Sequence, residues 1–163
     1  VVASGIPYTF LRPANFASNT LLWGWADSIR AESVVRFPYP ESTSDAIHEA
    51  DIAAVAAAVL TDPAGHVGQS YFISGPTPIT QRAQAEAIAA AIGRPVRVEE
   101  LTPDESRAAL RRIVPEWVIE ATIAWWAATD GVQCEVTDLV AKITGTPARP
   151  FTEWAADHVA DFR

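Results

Sequence analysis

A chain of 163 residues with 49% apolar side chains has enough material for one domain with a sizeable core, which excludes wholesale disorder. Twelve basic against 20 acidic residues leave a net charge of −8, a sign that repels phosphate backbones and anionic lipid heads. Nucleic acid and membrane surfaces are therefore poor partners, no apolar run approaches a membrane span, and the lone Cys134 cannot close an internal disulfide, which fits a reducing, cytoplasmic setting.

In chain order, the breakers Ser4-Gly-Ile-Pro7 precede a first strand at Tyr8–Leu11. A helix starting at Asn15 or Ser18 is expected to run through Leu21, Leu22, Trp25 and Ile29. Val34–Phe37 reads as an edge strand, because Pro38 and Pro40 close it, and Pro40–Ser44 reads as a polar turn. Asp51 has the chemistry of an N-cap for the apolar helix Ile52–Leu60. Gln69–Ile73 is a strand that Ser74-Gly75-Pro76 stops. Thr80 caps a helix over Gln81–Ile92, and Gly93 with Pro95 ends it.

Val96–Leu101 forms a short extended run. Thr102-Pro-Asp-Glu105 supplies a cap, a first-turn proline and a reciprocal glutamate. A second helix follows from Pro115 to Asp130-Gly131, and Thr137 and Thr152 are expected to cap two short terminal helices. The pattern is α/β at the front and helical at the back.

Ser4-Gly-Ile-Pro-Tyr-Thr-Phe-Leu-Arg-Pro13 followed by Ala14-Asn-Phe-Ala-Ser-Asn19 resembles the fifth-to-sixth unit of an atypical short-chain dehydrogenase/reductase, nearest the NmrA-like NAD(P)-binding branch. His48-Glu-Ala-Asp-Ile-Ala-Ala-Val55, Gly68–Pro76 with Ile79-Thr80, and Thr144–Phe151 are similar to later landmarks of that family. The resemblance implies an N-terminally truncated Rossmann-like parallel sheet in residues 1–75 and a mainly helical substrate-binding lobe in residues 76–163. The chain departs from the family pattern in having no Gly-x-x-Gly-x-x-Gly loop and no Tyr-x-x-x-Lys, and it contains no methionine. A half-sheet of this kind would expose apolar edges, so a homodimer or pairing with an absent N-terminal half is expected.

The resemblance places the loop of Pro13, Ala14, Asn15 and Phe16 beside the nicotinamide side of NAD(P), with Asn15, Phe16 and Asn19 bordering the substrate pocket. Trp23, Tyr39 and Trp125 are further expected to line that pocket around an apolar substrate. A plainer reading makes Pro13–Asn15 a proline-stopped turn with a helix cap. His48 is the side chain suited to proton exchange near neutrality, with Asp45 or Glu49 to orient it, or else it is a buried, hydrogen-bonded histidine. His66 and His158 read as surface residues, and the three histidines are too far apart in sequence for a metal site. Trp117 and Trp126 read as core, while Trp23, Trp25 and Trp125 stay open between core and pocket. Cys134 reads as a small apolar residue. Three functions follow: the substrate-binding part of an NAD(P)-dependent oxidoreductase acting on an apolar small molecule, a cofactor-free isomerase, lyase or cyclase with His48 as its acid–base group, or a non-catalytic ligand or redox sensor.

Overall fold

The computed structural model describes residues 1–163, and its short strands pair two by two. β1 (Phe10–Pro13) runs parallel to β4 (Ser70–Ile73), and β2 (Val34–Phe37) runs parallel to β6 (Arg97–Glu100). The third pair, β3 (Thr43–Ser44) with β5 (Ile79–Thr80), is antiparallel. Parallel partners need long crossovers, which helices fill. α3 (Glu49–Thr61) lies between β1 and β4 in sequence, and α4 (Gln81–Ile92) between β2 and β6. The class is α/β with mixed pairing, followed by the helical segment α5 (Pro103–Leu110) and α6 (Glu116–Ala128) and the terminal helices α7 (Leu139–Thr144), α8 (Phe151–Asp157) and α9 (Val159–Phe162).

Three apolar clusters hold these elements together. The largest joins Trp25, Val35, Phe37, Ile88, Trp154 and Phe162, so it draws on both sides of residue 75. Within it the Trp25 ring stacks on Phe37 at 5.0 Å between centroids. A second cluster packs Val55 and Val59 of α3 against Ile73 and Val140. A third packs Leu110 of α5 against Ile119, Ile123 and Trp126, the i, i+4, i+7 stripe of α6.

Several local expectations hold, and others are corrected. Thr80 accepts Ala83 N–H at 3.0 Å, Gly93 ends α4 in the left-handed conformation, and Thr102 with Glu105 closes a reciprocal capping box. The first strand lies two residues later than Tyr8–Leu11, because Tyr8 spends its carbonyl on Gly68 N–H before the ladder with β4 begins. The helix expected through Leu21 and Ile29 breaks into α1 (Asn19–Leu22) and α2 (Trp25–Glu32), since Gly24 between them takes φ 76°. Asp51 is not the cap of α3: His48 is, and its Nδ1 accepts Ala50 N–H at 3.1 Å. Asp51 sits within the first turn, 2% exposed, where it accepts Arg149 N–H at 2.7 Å and pairs with the Arg149 guanidinium. Thr137 caps nothing; its N–H is bound by Ser74 Oγ at 2.8 Å and its hydroxyl donates to Phe72 O. α8 starts at Phe151, after Pro150, so Thr152 lies inside its first turn.

The stretch read as a polar turn leads into the most deeply enclosed segment of the chain. Ser42 to His48 are seven consecutive buried residues, five of them polar. A buried connection is tolerated only when its polar groups find partners, and here they do. Thr43 N–H reaches Thr129 O, Ser42 O accepts Gln81 N–H, Ile47 N–H reaches Asn15 O, and Ile47 O accepts Ala17 N–H, all at 2.8–3.1 Å. Ser42 Oγ and Thr129 Oγ1 are 2.7 Å apart, and Thr43 Oγ1 donates to Val132 O while accepting Cys134 N–H.

Gly75 meets this strap backbone to backbone, its N–H donating to Asp45 O at 3.0 Å. A Cβ on Gly75 would stand 2.0 Å from Ala46 O, a clash with main chain that no rotamer relieves. Gly75→Ala is expected to lower the unfolding free energy by roughly 2 kcal/mol or more, measured by urea denaturation followed by circular dichroism.

Candidate functional site

Beyond the C-terminal end of β1 the chain turns at Ala14 and Asn15 and forms the floor of a cleft of about 450 Å³. Ligand sites of open α/β sheets lie at this end of the strands, and the volume suits a small molecule. Asp45 of the buried strap and Phe72 of β4 close one side. Trp117, Val118, Ala121, Thr122 and Trp125 of α6 close the other, with Trp23 and Trp126 between. These α6 positions form a second apolar stripe beside the one that packs on α5. A helix apolar on two faces was the sequence signal that α6 does more than pack.

Hydrogen bonds fix the polar floor. Asn15 N–H donates to Asp45 Oδ1 at 3.1 Å, Asn15 Nδ2 donates to Ser44 Oγ at 3.1 Å, and Asn15 Oδ1 accepts from Asn19. Asp45 is 6% exposed, and its carboxylate receives only the Asn15 hydrogen bond. Cys134 lies close enough for the Asp45 charge to act on it. Burial first, and then that charge, push the Cys134 thiol above its ordinary pKa despite its contact with Thr43, so it is a poor nucleophile.

The structure thus gathers Ala14, Asn15, Asp45, Trp23 and Trp125 around one cleft, with Pro13 just before it at the end of β1 and Asn19 bonded to Asn15. Phe16 is partly exposed and bridges to Ile47. Tyr39 packs against the α5–α6 cluster and not in the cleft lining. Trp126 is core, edge-on to Trp23 at 5.6 Å, and Trp25 is core as well. Trp117 is not core: it is 78% exposed and, with Trp125 at 48%, presents its ring to the cleft mouth.

His48 does not line the cleft. It is 4% exposed, and because its Nδ1 caps α3, the ring proton is left on Nε2, 3.3 Å from Asp157. Beside it stands a second acid–base group. His158 has Glu49 Oε1 2.7 Å from Nε2 and Asp161 Oδ2 2.9 Å from Nδ1, while Trp154 Nε1–H donates to the other Glu49 oxygen at 3.0 Å and stacks on the His158 ring. Burial works to lower the His158 pKa, but the hydrogen bonds and charges of Asp161 and Glu49 outweigh it and hold the pKa above the ordinary value. For Glu49, burial works upward and is outweighed by its backbone hydrogen bond and by His158 and His48, which bring it below the usual carboxylate range. No group of three or more His, Cys, Asp or Glu side chains is placed to hold a metal ion, and no helix is long and apolar enough to cross a membrane.

No protein-family model matches the chain. It is similar to a (4-alkanoyl-5-oxo-2,5-dihydrofuran-3-yl)methyl phosphate reductase of Streptomyces griseus, with 42% identity over 98% of this chain and 56% of the relative. An NAD(P)H azoreductase of Xenophilus azovorans is 37% identical over 99% of this chain and 56% of its own length. Among solved structures, an NADPH-dependent quinone oxidoreductase of Escherichia coli, complexed with NADPH, superposes with a TM-score of 0.76 at 25% identity, over 96% of this chain and 55% of that one. The chain spans little more than half the length of the relatives it matches.

The bracketed histidine makes stability depend on pH. A raised folded pKa means that the His158 contribution is complete below the unfolded value of about 6.5 and is lost as pH rises through the higher folded value. His158→Gln is therefore expected to destabilise the protein most near pH 6, where His158 is protonated and the lowered pKa of Glu49 keeps its carboxylate charged. The gap to the native protein should narrow as pH rises through the raised folded pKa of His158 in paired urea titrations.

Proposed function

We propose, from a chain that shares the fold of Rossmann-type NAD(P)H-binding oxidoreductases, that residues 1–163 form the substrate-binding part of an NAD(P)H-dependent oxidoreductase acting on an apolar small organic molecule. The observation that carries this reading is the position of the cleft. An apolar, indole-lined space opens beyond the end of a parallel strand, floored by Asn15 and Asp45. Within the wider fold group, the Asp51-Ile-Ala53 segment and the Gly75-Pro76 turn favour the NmrA-like branch.

The residues present fit one end of the cofactor. Pro13–Phe16 offers a turn beside the cleft where a flat nicotinamide ring can lie, and bound NAD(P)H supplies a hydride. The capped helix starts beside the strands offer the pyrophosphate no cradle. His48, Thr80 and Thr102 occupy the starts of α3, α4 and α5 with their own side chains, and Glu116 opens α6. We assign the cradle to residues outside 1–163 or to a partner chain, which would also cover the exposed Phe72 face of the β1–β4 pair.

The α/β layer of residues 1–75 then presents the ring-side turn and the helical lobe of residues 76–163 encloses the substrate. In this arrangement Asn15 orients Asp45, and Trp117 and Trp125 exclude water from one face of the substrate. NADPH consumption with a quinone or an azo dye as acceptor, using the protein in its native assembly, tests the reading. Trp125→Ala and Trp117→Ala are each expected to raise KM for the acceptor roughly tenfold while leaving KM for NADPH within about twofold. Acceptor kinetics unchanged in both variants, or no NADPH consumed with either acceptor, would overturn it.

A further inference from the structure

The cleft has an electrostatic character that its apolar lining does not require. Its one charged lining group is Asp45, and no Lys, Arg or His contributes to its walls. The carboxylate is nearly enclosed, yet it receives a single hydrogen bond from the protein, on Oδ1. An ionised carboxylate has room for about four donors, and neither Asp45 oxygen is both fully enclosed and without a partner, so the second oxygen keeps room for a donor from the cleft. The same cleft is lined by the indoles of Trp23, Trp117, Trp125 and Trp126, and indole ring faces carry the negative part of their quadrupole and attract cations. The nearest cation in the strand register, Arg12 opposite Phe72, is exposed and stands outside the lining.

We propose that the cleft selects a flat aromatic substrate bearing a positively charged nitrogen, with its rings among the indoles and the nitrogen on the open side of Asp45. Both recognition elements favour the same sign, and the overall charge of −8 enriches cations at the mouth. An anionic ligand such as a phosphate ester would meet a fixed carboxylate with no compensating cation, a repulsive element that discriminates as strongly as the attractive one. Only one nitrogen is needed, because the Asn15 hydrogen bond already fixes the direction of the carboxylate.

The proposal rests on the cleft being the substrate site, but it is tested by binding alone, without cofactor or turnover. Tryptophan fluorescence is titrated with three probes of one ring system: naphthylmethylamine, naphthalenemethanol and naphthyl phosphate. The amine is expected to bind at least roughly tenfold more tightly than the alcohol, and the phosphate most weakly. Asp45→Asn keeps the Asn15 contact and is expected to erase the amine–alcohol gap while the alcohol affinity stays within about twofold. Should that variant fail to fold, salt decides on the native protein, where the same gap must narrow as ionic strength rises.

Equal binding of amine and alcohol, a gap that survives Asp45→Asn, or a gap indifferent to salt overturns the proposal while leaving the cleft a substrate site. Failure of all three probes to bind removes the substrate site as well. The cation of N-methylnicotinamide is the fourth probe. Tighter binding of that ring than of the naphthyl amine would assign Asp45 to the cofactor and overturn the substrate reading.

Discussion

The fold is organised around a polar segment that has little access to water. From Ser42 to His48 the chain passes through the interior, where each unpaired amide or carbonyl would cost on the order of 1–3 kcal/mol. Satisfying them ties together elements that have no other reason to meet. The turn after β1 is held through Asn15, the turn after β4 through Gly75, the end of α6 through Thr129, and the start of α4 through Gln81. The same segment ends in His48, whose ring caps α3 and reaches α8. The cleft floor is one part of this network, so Asp45 is positioned by the packing of the whole strap and not by its immediate neighbours alone.

Charge is distributed with a similar economy. Most ion pairs lie on the surface, where each adds little. Two sites differ. Asp51 is enclosed and holds both the main chain and the guanidinium of Arg149, which pins the C-terminal segment onto α3. Two residues earlier, Glu49 joins α3 to α8 and to the start of α9 through Trp154 and His158. Three successive polar groups at the start of one helix, His48, Glu49 and Asp51, thus fasten the last fifteen residues of the chain.

Much of this was legible in the sequence, and the failures have physical causes. Thr80, Gly93 and the Thr102–Glu105 box were readable because capping is local chemistry with fixed spacing. β2 and β4 were readable as short runs rich in β-branched or aromatic residues, although β3 and β5, two residues each, carry too little pattern to detect. Asp51 misled because a carboxylate before an apolar helix has two outlets, and Arg149, 98 residues away, decides between them. Trp117 misled for the opposite reason. Its spacing is compatible with core, and only the placement of α5 on the neighbouring stripe leaves it outside. The turn at Ala14 and Asn15 was found through resemblance, whereas the indole wall needed coordinates.

The two stripes of α6 have a consequence for how such a protein can diverge. Ile119 and Ile123 carry the packing against α5, Trp117, Ala121 and Trp125 face the cleft, and Trp126 serves both. Apart from Trp126, stability and ligand preference are therefore written on different letters of the same helix. A lineage can rewrite the second set one residue at a time, trying new small molecules, without renegotiating the first.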